Sequence, residues 1–189
     1  MSIMRKIKKS SFTFILAITA ALMVSSSVSA YVSYITLSVP VVKQEQTNWC
    51  WVASSVGVID FLGTPPTQSD FVNYVKGGVV NQAGTVADVK QGLQHWNVSS
   101  TTGSSLSFQT VANQTSNNQP IISGIIWKSG GGHMYTIRGY YEDTNSSKQD
   151  LYYIDPWPGN SNYNIMSYSN FLNNSSFFWN ESVYNIYVS

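Results

Sequence analysis

Residues 44–55, QEQTNWCWVASS, hold the only cysteine of the 189-residue chain, Cys50, set between Trp49 and Trp51. From Cys50 onward Val52, Val56 and Ile59 recur at helical spacing, and the run stops at Leu62 and Gly63 before Pro65 and Pro66. The spacing predicts a helix that opens at Cys50. A thiol there gains thiolate character from the helix dipole, and more from a neighbouring imidazolium.

How that thiol is read depends on where the protein goes. Residues 1–30 read as a secretory signal peptide, with a basic start (Arg5, Lys6, Lys8, Lys9), an apolar run from Phe12 to Val24, and small residues before a cut after Ala30. The apolar run is short for a membrane span, and the residue after the cut is Tyr31, where a lipoprotein would need cysteine. The expected product is therefore secreted and extracellular, with no stable membrane association. It would be 189 minus 30, or 159 residues long, enough for a single domain over 31–189.

Without the leader's four cations the chain keeps 6 Lys and Arg against 9 Asp and Glu, a charge that excludes a basic nucleic-acid binder. One cysteine forms no internal disulfide. A buried inert thiol, an intermolecular bridge, a metal ligand and a nucleophile stay open. Structural zinc spacing is absent from one cysteine and two distant histidines, so no cofactor or metal is expected.

The chain reads as helices followed by strands. YVSYITLSVPVV is a lead-in strand ending near Val42. Thr67 with Asp70 and Thr85 with Asp88 are capping-box starts of two further helices, the second carrying Val86, Val89, Leu93 and Trp96 on its apolar stripe. A weaker helix covers 108–115. Strands follow at 120–127, 133–142, 150–156 and 181–189. Runs of one type and then the other predict an α+β domain with an antiparallel sheet.

Of the two histidines, His95 lies off its helix's apolar stripe and reads as a surface residue. His133 opens a strand directly after Gly130, Gly131 and Gly132, where the backbone admits close approach of a substrate. A nucleophilic cysteine needs a base, and the base needs an orienting group. His133 and then Asp155, at the end of the next strand, are the candidates. The backbone N–H of Cys50 and the side-chain amide of Gln44 are candidate oxyanion donors, with Gln46 the rival to Gln44.

These residues carry a resemblance. QEQTNWCWVASS resembles the active-site segment of papain-like cysteine peptidases, with a glutamine six positions before the nucleophile and Cys-Trp opening the central helix. GGHMYTIRGYYED followed by LYYIDPWPG resembles the histidine strand and Asp-Pro strand end of the compact bacterial branch, which includes double-glycine-leader peptidases and secreted effector-type proteases. The resemblance runs from about Val39 to the end and implies a papain-like α+β fold. It also implies roles for Cys50 as nucleophile, His133 as base, Asp155 as orienter and Gln44 as oxyanion donor.

There are departures. The gap from cysteine to histidine is 133 minus 50, or 83, against about 130 to 150 in plant and lysosomal enzymes. The orienter is Asp where papain has Asn. No long propeptide lies between Ala30 and Gln44, and no span for a membrane exporter follows the leader. The resemblance thus implies a peptidase acting on peptides or proteins through a thioester, and with the leader the expected product is a secreted monomer. An inactive binding domain of the same fold, and a thiol amidase or acyltransferase acting on cell-wall or other amides, remain as alternatives. Trp49, Trp51 and Trp157 are expected to line or shield the site.

Overall fold

The computed structural model describes residues 30–189; the signal-peptide reading of 1–30 falls almost entirely outside them. The elements run β1 (Val32–Thr36), α1 (Cys50–Leu62), α2 (Gln68–Lys76), α3 (Val86–His95), β2 (Val98–Ser104), α4 (Phe108–Ser116), β3 (Ile121–Trp127), β4 (Gly132–Asp143), β5 (Lys148–Ile154), β6 (Asn164–Ser167), α5 (Tyr168–Leu172) and β7 (Phe177–Val188).

The strands form one antiparallel sheet in the order β2-β7-β3-β4-β5-β6, with β1 beside β4. β4 is long enough to hold two partners on one edge. β3 pairs with Gly132–Ile137 and β1 with Gly139–Asp143, while β5 takes the other edge. Side chains alternate across the sheet. Ile122, Met134, Val183 and Ile186 therefore pack under α1, α2 and α3, whereas Ile121, Ile125, Tyr135, Ile137 and Trp179 pack under α4 and α5. Burial on both faces explains why PIISGIIW is a continuous apolar run and not an alternating one.

The helix starts follow the capping chemistry. The hydroxyls of Thr67 and Thr85 accept from the N–H of Asp70 and Asp88, and at Thr85 the acid returns a bond to the cap, closing a reciprocal box. α2 and α3 meet through aromatic packing, with Phe71 stacked on Trp96 at 5.2 Å and edge-on to Trp51 at 5.7 Å.

Four features differ from the expectation. β1 ends at Thr36, not near Val42, because Pro40 has no N–H for a ladder and the chain turns away to reach Cys50. Leu37 and Val39 bury instead against Ile154. β2, β6 and α5 were not expected: VSSTTGS offers no apolar alternation, and the other two are four and five residues long. α4 and α5 stand among the strands, so helices and sheet are less segregated in sequence than the pattern implied. β7 begins at Phe177, earlier than 181, and an irregularity between its Trp179 and Glu181, opposite Ile125 and Gly124, breaks the alternation there.

Candidate active site

The sequence around Cys50 is pinned before the helix begins. The indole N–H groups of Trp49 and Trp51 donate to the carbonyls of Val80 and Gln82, at 2.8 and 3.0 Å. Asn81 adds three bonds to Thr47 and Asn48. Trp49 and Trp51 are thus buried core residues that do not line the site, contrary to expectation. Their packing holds Cys50 at the first position of α1, where it is half-buried. The first bond of the helix runs from the Ala53 N–H to the Trp49 carbonyl. The Cys50 N–H precedes that ladder, among the orphan donors of a helix start, and Trp49 caps none of them with its side chain.

His133 arrives from the sheet. The turn between β3 and β4 closes through bonds from the Gly130 N–H to the Trp127 carbonyl and from the Trp127 N–H to the Gly131 carbonyl. Gly130 and Gly131 have φ of 100° and 82°, a backbone region in which side chains are strained. The imidazole is 9% exposed, lies over Trp127 and meets the edge of Tyr135.

Asp155 follows directly on β5, whose Ile154 pairs with Thr136. Its Oδ1 accepts from His133 Nε2 at 2.8 Å and from the Trp157 N–H at 2.9 Å, and its Oδ2 accepts from Asn160 Nδ2 at 2.7 Å. Burial alone would raise this carboxyl, but the bonds from His133, Trp157 and Asn160 together hold it below the usual aspartate value. On His133, burial acts to lower the pKa. The bonds to Asp155 and Cys50, with the charges of both, outweigh it and raise the imidazole from 6.5 to about 9. Nε2 is committed to Asp155, so Nδ1 is the nitrogen left for Cys50.

Lys43 was not singled out from the sequence. Its ammonium donates to the carbonyls of Asp155, Trp157 and Asn160 at 3.0 to 3.2 Å. With the bond from the Gln44 N–H to the Pro156 carbonyl, this ties the segment before the cysteine helix to the loop carrying the acid. Gln68, buried, secures the same segment by donating to the Lys43 carbonyl and accepting from the Glu45 N–H. Asn160 was missed too; its signal, an Asn five residues beyond the acid, is lost among many asparagines.

Gln44 is buried, and its Nε2 donates to the carbonyls of Gln46 and Thr47 at 2.8 and 3.0 Å, while Oε1 is buried without a partner. The Gln46 side chain is exposed, and neither glutamine borders the hollows that touch Cys50. His95 is exposed and stacks on Tyr74, far in sequence and fold from this cluster.

The hollow over Cys50, His133 and Asp155 measures about 420 Å³ and includes Trp127, Trp157 and Asn160. Trp157 is 43% exposed at its rim, as expected of a residue shielding the site. Among the described residues no group of three or more His, Cys, Asp and Glu side chains is placed to hold a metal ion.

Residues 36–186 match the profile of the Peptidase_C39 like family. Among solved structures, the chain is similar to the peptidase domain of Streptococcus ComA, a bi-functional ABC transporter involved in a quorum-sensing pathway. The identity is 18% over 78% of this chain and 97% of that one, with a TM-score of 0.61. It is also similar to a C39-like peptidase from Bacillus anthracis, at 15% identity over 80% and 97% of the two chains and a TM-score of 0.57. A third is a double glycine motif protease from an AMS/PCAT transporter, solved with its leader peptide, at 16% identity over 79% and 92% and a TM-score of 0.53. At these identities the structures speak for the fold. No curated protein sequence matches the chain. The family match spans most of the chain, and the protein belongs to the Peptidase_C39 like family: it is a papain-like cysteine peptidase.

Proposed function

We propose that this member of the Peptidase_C39 like family is a secreted peptidase in which Cys50, His133 and Asp155 form the catalytic triad. The observation that carries the reading is the 2.8 Å bond from His133 Nε2 to a buried Asp155, which leaves Nδ1 for Cys50 at a helix start in the same hollow.

The raised pKa of His133 favours an imidazolium at neutral pH, and that charge stabilises the Cys50 thiolate. The thiolate sulfur attacks a peptide carbonyl carbon, and the oxygen takes the negative charge. The Cys50 N–H donates to that oxyanion. Gln44 is the proposed second donor, on exchanging one of its two carbonyl partners for the oxyanion. Imidazolium Nδ1 then gives its proton to the leaving amine as the C–N bond breaks, leaving a thioester. Water loses a proton to His133 and attacks the thioester carbonyl. Collapse of that intermediate expels the thiolate and releases the carboxylate. Asp155 accepts from Nε2–H throughout, so the ring keeps its orientation.

Export is proposed from residues 1–30, with the domain beginning at Tyr31. Its N–H donates to Thr144 Oγ1 at 2.9 Å and its carbonyl accepts from the Thr144 N–H, so the backbone joins the fold at that residue. The exported protein should carry Tyr31 as its first residue.

The test is the pH dependence of Cys50 alkylation, read by intact mass, together with cleavage of a peptide mixture. Labelling that stays fast below pH 7 in the wild type, slows in His133→Ala, and accompanies peptide cleavage abolished in Cys50→Ala supports the triad. Equal labelling of wild type and His133→Ala, rising only near the ordinary thiol range of about 8 to 9, would overturn it.

A further inference from the structure

Cys50, Ala83, Gly132 and His133 border two hollows, one toward Asp155 and the other on the far side. The second, of about 210 Å³, extends past Gly84, Gly124, Ile126 and Met134 to Asn180 and Glu181. Apart from His133 itself, Glu181 is its only ionisable wall other than the cysteine.

A β-bulge places that carboxylate. Gly124 pairs with Glu181 but Ile125 pairs with Trp179, so Asn180 is an extra residue in β7. Alternation breaks there: Asn180 and Glu181 are both exposed, whereas Ser182 and Val183 are both buried. Bulges beside a site re-aim side chains in this way. The backbone is fixed at this point by the Trp179 indole, which donates to the Glu181 carbonyl at 2.8 Å. Across the pair Gly124 has no side chain, and a Cβ there would meet the Glu181 Cβ at 3.7 Å. Glycine therefore leaves the space over Glu181 open. Among the described residues the Glu181 carboxylate has no ion-pair partner.

We infer that Glu181 is a specificity residue that selects peptides with a lysine or arginine near the cleavage point. The inference rests on the peptidase reading of Cys50 and His133. A long aliphatic stem ending in a cation matches a hollow bordered by Ile126, Met134, glycine backbone and the Glu181 side chain. A hollow of 210 Å³ is about 7 Å across, the reach of about two residues of extended chain. The basic residue accordingly lies within about two positions of the scissile bond.

Quenched-fluorescence peptides that differ only in one residue, lysine, norleucine or glutamate, scanned on both sides of the scissile bond, test this. At one position the wild type should cleave the lysine peptide about five-fold faster in kcat/KM than the norleucine peptide, the ratio that about 1 kcal/mol, the upper end for a surface ion pair, provides. Rising salt should shrink the ratio. Glu181→Gln should bring it to about one, Glu181→Lys should invert the order of lysine and glutamate, and Gly124→Leu, which fills the seat, should remove the lysine preference. A ratio that is the same in wild type and Glu181→Gln overturns the inference while leaving the peptidase reading intact. If the wild type cleaves no peptide of the set, the peptidase reading falls, and this one with it.

Discussion

The substitution Asp155→Asn isolates the charge of the orienting group from its shape. The amide oxygen can still accept from His133 Nε2, at 2.8 Å in the wild type, and from the Trp157 N–H at 2.9 Å. The new NH2 then faces the Asn160 amide that donated to Oδ2 at 2.7 Å. Turning that amide over presents its oxygen and restores the bond. What is lost is the charge. A hydrogen bond to an ionised partner contributes about 1.5 to 3 kcal/mol and a neutral one about 0.5 to 1.5, a difference of about 1 to 1.5 kcal/mol. At about 1.4 kcal/mol per pKa unit, that lowers the imidazolium by about one unit. With His133 at about 9 in the wild type, the alkaline fall of kcat/KM, which reports the free enzyme, should move toward neutral pH by about that much. The stability sign follows from the same shift. Because the folded pKa of His133 is raised above 6.5, its contribution is complete below that value and is lost as pH rises through about 9. Thermal melts of the wild type should accordingly lose stability across that window, and those of Asp155→Asn over a narrower one. The assay is a pH profile of peptide cleavage, with the His133 ring titrated directly by NMR. An alkaline limb and a ring titration both unmoved in the variant would refute the argument that the Asp155 carboxylate holds the imidazolium.

Further outcomes are expected elsewhere. Gln44→Ala should lower kcat by about a hundred-fold or more, the usual effect of removing one oxyanion donor; a loss of only a few-fold, measured on folded protein, would assign that role to another group. Gly92→Ala should destabilise the fold by about 2 kcal/mol, since a Cβ there would fall 2.1 Å from Cζ of the fully buried Phe71. Urea unfolding checks this, and a midpoint equal to the wild type would contradict the packing of α2 on α3. Lys43→Met should leave Cys50 in place but loosen the 155–160 loop by removing the ammonium that donates to three of its carbonyls, seen as faster amide exchange at Trp157, against unchanged exchange if the clamp is idle.

The parts of the fold written in periodic apolar residues were legible. α1 declares itself by Val52, Val56 and Ile59, and α2 and α3 by Thr-to-Asp caps whose bonds form at Asp70 and Asp88. β3 and β4 stand out because both faces of the sheet are covered there, which makes β3 a nearly continuous apolar run and fills β4 with β-branched and aromatic residues. β2 was invisible for the opposite reason: a strand of Ser, Thr and Gly at the sheet edge is held by backbone pairing to β7, and backbone bonds leave no mark in side-chain pattern. The bulge at Asn180 hid the first half of β7 in the same way, by shifting the period by one residue.

The site divides along a related line. Cys50, His133 and Asp155 could be picked out because each sits at the end of an element, and element ends are marked by composition: a helix start, a glycine turn, an Asp-Pro. Several of the groups that hold them there bond to main-chain atoms. Lys43 and Gln68 bond to backbone, and Asn81 accepts from the Asn48 N–H through Oδ1 and from the Asn48 side-chain amide through its own carbonyl, while donating to the Thr47 hydroxyl. A carbonyl acceptor is supplied by every residue alike, so nothing in the acceptor's identity points back to the donor. That also bears on Gln44: its spacing to Cys50 is a sequence fact, but its two bonds to Gln46 and Thr47 depend on how the 44–48 turn is folded. The turn fixes the glutamine as much as the glutamine fixes the turn, and an oxyanion competing for the same N–H groups does so against two carbonyls already in place. With Gln44 as the proposed second donor, substrate binding at Cys50 would be coupled to the conformation of the segment that Lys43 ties to Asp155.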